Sequence, residues 1–142
     1  MVLMNYKDSG MSEEKIDRKI TVIFATDVVG YSKHMEADES ETVKNLRACE
    51  RLLAGLFKKH KARLFNTAGD SFLAEFSSAV SAVECAVEFQ NAIKERNSSE
   101  EATVKLKFRI GINSGDVIIE KDNLLGDGVN IAARLEALAQ TG

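Results

Sequence analysis

The sequence predicts an α+β domain, a mainly antiparallel sheet with helices packed on one of its faces. One observation is a nearly continuous apolar, β-branched run over residues 19–26, the composition of a strand buried inside a sheet. Another is a pair of strand-like runs, 63–67 and 72–76, separated by Ala68-Gly69-Asp70-Ser71, which reads as a hairpin. The third is a helical apolar period on either side of that hairpin. Strand, helix, hairpin, helix and strand in that order make the split-βαβ, ferredoxin-like βαββαβ arrangement.

The first strand stops at Asp27, with Gly30 close behind. A helix is expected over 39–60: Val43, Leu46, Leu53, Leu56 and Phe57 share one face, and Lys58, Lys59 and His60 suit its C-terminal dipole. Beyond the hairpin, Ser77 or Ser78 can cap a helix over 79–96. Its Ala82, Cys85, Ala86, Phe89 and Ile93 form a stripe, which assigns Cys85 to packing. A polar loop over 97–101 leads to strands at 104–113 and 116–120, divided by Ser114-Gly115. A last helix over 128–140, with Ile131, Leu135 and Leu138 serving the core, completes β-α-β-β-α-β-β-α. The chain has no proline, so Gly, Asn, Asp and Ser must make its turns. Residues 1–17 lack periodicity and read as a leader or flexible tail, leaving 18–142 as the domain.

A chain of 142 residues suits one domain with its own core. The 44% hydrophobic and 29% charged fractions exclude a disordered or fibrous chain. A net charge of −3 argues against a nucleic-acid module, which normally carries a basic face. Cys49, Cys85, His34 and His60 have neither a disulfide framework nor zinc-ligand spacing. No apolar run reaches the ~20 residues of a membrane span, and the charged first twenty residues lack an apolar stretch, so they are not expected to act as a signal peptide. The expected compartment is the cytoplasm.

Chemistry is expected where strands end. Asp27 precedes Val28-Val29-Gly30, and Asp70 follows Gly69 in the hairpin turn. In a βαββ unit the first strand and the hairpin can be neighbours, so these carboxylates could converge. Paired acids beside a turn leading into a helix are what magnesium–triphosphate chemistry requires: carboxylates for hard cations, free N–H groups for phosphate oxygens. Either acid alone is equally ordinary turn chemistry. Asn130 and Arg134 lie four apart on one helical face, where an amide and a guanidinium could orient a sugar and neutralise a phosphoryl group. A polar solvent face has the same pattern.

Three segments carry a resemblance. Phe24-Ala25-Thr26-Asp27-Val28-Val29-Gly30-Tyr31-Ser32, Asn66-Thr67-Ala68-Gly69-Asp70 and Gly126-Asp127-Gly128-Val129-Asn130-Ile131-Ala132-Ala133-Arg134 resemble the signatures of class III nucleotidyl cyclases of bacterial type. The likeness runs from Lys19 to Gly142 and includes Arg109-Ile110-Gly111-Ile112-Asn113-Ser114-Gly115. It implies an adenylate or guanylate cyclase in which Asp27 and Asp70 hold two magnesium or manganese ions. The turn of Val28, Val29, Gly30 and Tyr31 would cradle the triphosphate. Asn130 would hold the ribose and Arg134 the reacting phosphate, both from the opposite subunit of a head-to-tail homodimer.

The implied reaction joins the ribose 3′-oxygen of ATP or GTP to the α-phosphorus and expels pyrophosphate, through two-metal in-line displacement. The family's base-selecting positions, typically Lys or Glu and then Asp or Cys, are Asn66 and Asn123 here, with Asp122 adjacent. The family also continues past Gly142 with further strands and a phosphate-binding lysine, so the domain reads as C-terminally incomplete. The resemblance allows an upstream regulatory domain in a longer parent. An alternative reading is a nucleotide-binding or dimerisation module that keeps the acids and lacks turnover.

Overall fold

The computed structural model describes residues 16–140. The expected leader therefore lies outside the described residues up to position 15, but Asp17 already pairs opposite Ile119 in the first strand. That strand, β1 (Asp17–Val28), extends beyond 19–26 at both ends. After it come α1 (Tyr31–Ala37), α2 (Glu39–Lys59), β2 (Arg63–Ala68), β3 (Ser71–Phe76), α3 (Ala79–Asn97), β4 (Phe108–Glu120), β5 (Asn123–Leu125) and α4 (Asp127–Leu138). The sheet order is β2-β3-β1-β4-β5, antiparallel at every pairing.

β1 is central, and both of its faces are covered. Val22, Phe24 and Val28 join Leu46, Leu53 and Phe57 of α2 and Ala82, Cys85, Phe89 and Ile93 of α3 in the larger core. Phe24 meets Phe57 edge-on at 5.5 Å, and Phe89 meets Phe108 at 5.0 Å. Ile23 and Ala25 point the other way, against Val117, Leu124, Val129 and Ala132. The two helices of the βαββαβ unit thus share one face, as its topology requires, while α4 covers the opposite one. This double burial explains why β1 reads as a continuous apolar run rather than an alternating one.

Local signals account for the well-read boundaries. The Asp38 carboxylate accepts the Glu41 N–H at 3.1 Å to start α2, and the Ser78 hydroxyl accepts the Ser81 N–H at 3.2 Å to start α3. Gly69, at φ +62°, supplies the left-handed residue of the β2–β3 turn. Several expectations fail. Residues 104–107 are not strand, and Ser114-Gly115 does not divide the next one: both remain extended, paired with Val22 and Thr21 within a 13-residue β4. The chain turns instead at Lys121, φ +57°, into β5, a strand too short to announce itself. α1 carries no apolar period that would announce it, since its seven residues bury no side chain. Ile131, Leu135 and Leu138, expected in the core, are 39%, 43% and 83% exposed.

At the β1–β3 junction Glu75 accepts from Lys19 Nζ at 2.6 Å, Thr21 Oγ1 at 2.8 Å and Arg63 Nη2 at 3.2 Å. Burial would raise its carboxyl, but the hydrogen bonds from Lys19, Thr21 and Arg63 outweigh that and hold it below its ordinary value. Because folding depresses this group, its stabilisation is complete above the unfolded glutamate pKa of ~4.3 and is lost as pH falls through the lower folded value. Glu75→Gln should therefore cost about 1 kcal/mol near pH 7, since the partners are partly solvated. Denaturant unfolding of both chains should show that difference vanishing at acid pH. An undiminished difference there would contradict the assignment.

Candidate active site

The antiparallel pairing of β1 with β3 brings Asp70 to the end of β1, where Asp27 lies. Thr26 lies opposite Phe72, so the β2–β3 turn projects beside the end of β1. There Asp70 Oδ2 accepts the Val28 N–H at 3.0 Å, placing its carboxylate against the residue that follows Asp27. Both acids are half-buried. The Val29 N–H is likewise engaged, donating to the Lys107 carbonyl at 2.8 Å. Of the expected phosphate turn, Val28 and Val29 therefore spend their amides inside the protein. Gly30, at φ +66°, then redirects the chain into α1 at Tyr31.

Across the β1–β4 ladder, Asp27 faces Arg109. Arg109 Nη2 donates to Asp27 Oδ1 at 3.3 Å, and Nη1 to the Ala137 carbonyl at 3.2 Å. Its Nε stands 3.4 Å from Oε2 of Glu136, a carboxylate only 7% exposed. Burial, contact with Asp27 and the charge of Asp70 push the Glu136 carboxyl up to about 8, against the opposing pull of Arg109. Neither Arg109 nor Glu136 was given a role on sequence grounds. A signal existed: Glu136 occupies a buried position of α4 together with Val129 and Ala132, where an apolar residue is expected.

α4 reaches this depth because glycines remove the obstacles. A Cβ on Gly111 would stand 2.2 Å from the Glu136 backbone nitrogen, and one on Gly128 would stand 2.6 Å from the Asp116 carbonyl oxygen. Gly115 likewise faces the Gly128 Cα, so it serves close approach rather than a turn. Asn130 and Arg134 are exposed. At about 100° per residue they lie roughly 160° around the helix from Ala132, on the face turned away from the sheet. They are therefore not brought to Asp27 and Asp70 of the same chain.

Asn66 and Asn123 sit on β2 and β5, whose sheet positions are opposite but which touch across the α4-side face. Arg63 Nη1 closes that contact on the Asp122 carbonyl at 2.7 Å. Asn66 is exposed beyond an irregularity in the β2–β3 register, and Asn123 turns its amide oxygen onto the Leu124 N–H at 3.0 Å.

A carboxylate at the end of β1 and a second one hydrogen-bonded to the next residue's amide are the donor type that a hard divalent cation takes. No three His, Cys, Asp or Glu side chains form a metal cage among the described residues. A magnesium-type ion commonly takes only one or two carboxylates and completes its shell with water and substrate phosphates. Residues 12–142 match the family of adenylate and guanylate cyclase catalytic domains, and the chain belongs to that family.

A putative adenylate cyclase 3 of Rhizobium meliloti (strain 1021) is 44% identical over 133 residues, 93% of this chain but 23% of the relative. An adenylate cyclase of Streptomyces coelicolor is 33% identical over 132 residues, 92% of this chain and 33% of the relative. The chain thus spans a third or less of the length of these curated relatives. The adenylate/guanylate cyclase/hydrolase from Silicibacter pomeroyi superposes with a TM-score of 0.80 at 34% identity, covering 89% of this chain and 74% of the other. No helix among the described residues is long and apolar enough to cross a membrane.

The seating of α4 is directly testable. Gly111→Ala should destabilise the protein by about 1–3 kcal/mol, the usual cost of overpacking, because the added methyl meets backbone rather than a yielding side chain. Thermal unfolding should register the loss, and hydrogen exchange should show faster exchange at 132–138. Wild-type stability would contradict the close contact.

Proposed function

We propose that this domain cyclises a purine nucleoside triphosphate, ATP in the first instance, to its 3′,5′-cyclic nucleotide with release of pyrophosphate. The observation that carries this reading is the convergence of Asp70 on the Val28 amide beside Asp27. The acids would hold two magnesium or manganese ions, which when bound polarise the 3′-hydroxyl and neutralise the phosphates. With the Val28 and Val29 amides occupied, the phosphate contacts of the turn fall to Gly30 and Tyr31. Asn130 would orient the ribose, and Arg134 would bear the charge that develops on the reacting phosphate.

Because Asn130 and Arg134 face away from their own acids, the reading requires a second copy. Ile131, Leu135 and Leu138 flank them as exposed apolar groups, a surface that a subunit interface would cover. A head-to-tail homodimer would join the α4 face of one protomer to the acids of its partner. The substrate pool makes the cytoplasm the working compartment, and we assign the domain to intracellular signalling.

The primary test is manganese-supported conversion of ATP and GTP, followed by separation of products. Nucleotide binding without product would replace the enzyme reading with that of a binding module. Arg134→Ala should lower kcat by ~10²–10³, the usual loss of one preorganised donor, with KM little changed. Mixing Arg134→Ala chains with Asp70→Ala chains should restore one intact site per heterodimer. Absence of recovery would refute the shared site.

Base choice gives a separate expectation. Asn66 and Asn123 present neutral amides that both donate and accept, so neither purine edge meets a fixed charged partner. ATP should be preferred over GTP by only about tenfold in kcat/KM, whereas a dedicated polar pair can reach a thousandfold or more. Asn66→Lys with Asn123→Asp should sharpen that preference. A parent that already excludes GTP a thousandfold would show that other residues read the base.

A further inference from the structure

Two buried polar atoms beside Asp27 face each other without a hydrogen bond. Arg109 Nε and Glu136 Oε2 are both shielded from solvent, both lack a hydrogen-bond partner, and stand 3.4 Å apart. Buried donors and acceptors are rarely left unmade, because each has given up its water. On its other side the same guanidinium reaches Asp27 at 3.3 Å. Both contacts are longer than the ~2.7–2.9 Å of a well-made charge-assisted bond. Arg109 is held between the Asp27 carboxylate and the Glu136 carboxyl group and drawn fully to neither.

We propose that Arg109 and Glu136 are positioning residues for Asp27: Arg109 is the resident counter-cation of that carboxylate, and Glu136 receives the guanidinium when a divalent cation displaces it. The inference rests on reading Asp27 and Asp70 as a metal site. A dication on Asp27 repels the guanidinium, whose retreat is bounded by the last turn of α4. A movement of about half an ångström toward Glu136 turns the orphaned pair into a hydrogen bond. The Ala137 carbonyl, already 3.2 Å from Nη1, steers that movement along the helix end. Without the Glu136 oxygen the displaced guanidinium has no second side-chain acceptor to go to, so it remains on Asp27 and competes with the ion.

The test titrates Mn²⁺ alone into the full chain and reads the free ion by electron paramagnetic resonance. Glu136→Leu, which keeps the packing and removes the acceptor, should raise the Mn²⁺ Kd by about tenfold, the scale of losing a supporting group behind a metal ligand. Adding Arg109→Gln to Glu136→Leu should restore the affinity, because the competing charge is then gone. A purely structural Glu136 would leave the double variant as weak as the single one, which would overturn the hand-over. So would a Glu136→Leu chain that binds Mn²⁺ like wild type while Asp27→Asn does not bind. Mn²⁺ binding indifferent to both Asp27→Asn and Asp70→Asn would instead overturn the metal-site reading itself.

Discussion

The approach of α4 to β4, backbone against backbone, is the contact on which the site is built. Gly111 and Gly128 leave no side chain between helix and strand at the points where they meet, so the helix sinks until Glu136 lies beside Arg109. Arg109 in turn stands opposite Asp27 in the β1–β4 ladder. The third carboxylate is thus delivered by helix packing, and the second by the β1–β3 register that sets Asp70 against Val28. Displacing α4 by the width of a methyl group would undo the first of these without touching the second.

The charges assembled this way do not balance. Asp27, Asp70 and Glu136 share one guanidinium and one main-chain amide. The response visible in the protein is the upward push on Glu136, the most buried of the three. A fold under selection for stability alone would place an apolar residue at 136, as Val129 and Ala132 occupy the neighbouring inner positions. Retaining an acid there leaves a local deficit of positive charge at the end of β1, an arrangement that gives up stability and is characteristic of functional sites.

Most of the scaffold was legible because it follows local rules. The unbroken apolar run marked β1, the stripes and caps marked α2 and α3, and Gly69 marked the hairpin. The failures share a physical cause: each depended on what the chain meets in space. Gly115 looks like a turn residue, yet it lies in an extended strand and makes room for Gly128. In α4 the sequence offers two apolar stripes, and the larger side chains appear the better core. The glycine-lined strand draws Gly128, Val129 and Ala132 inward, so Ile131, Leu135 and Leu138 face outward. Within the site, Asp27 and Asp70 were legible as acids at turns. Glu136 and Arg109 were not, since their pairing exists only once a helix has crossed a strand.

α4 is consequently a helix with two assignments. Its inner face is tied through Glu136 and Arg109 to the acid at the end of β1, and its outer face presents Asn130 and Arg134 among exposed apolar groups. Under the dimeric reading the inner face serves one site and the outer face the other. The seat on Gly111 is tight enough that the helix moves with β4 or not at all, since packed interiors shift between discrete arrangements rather than deform smoothly. Glu136 and Arg134 stand two residues apart on that helix, so the seat that fixes the first beside Arg109 also fixes the direction in which the second points outward.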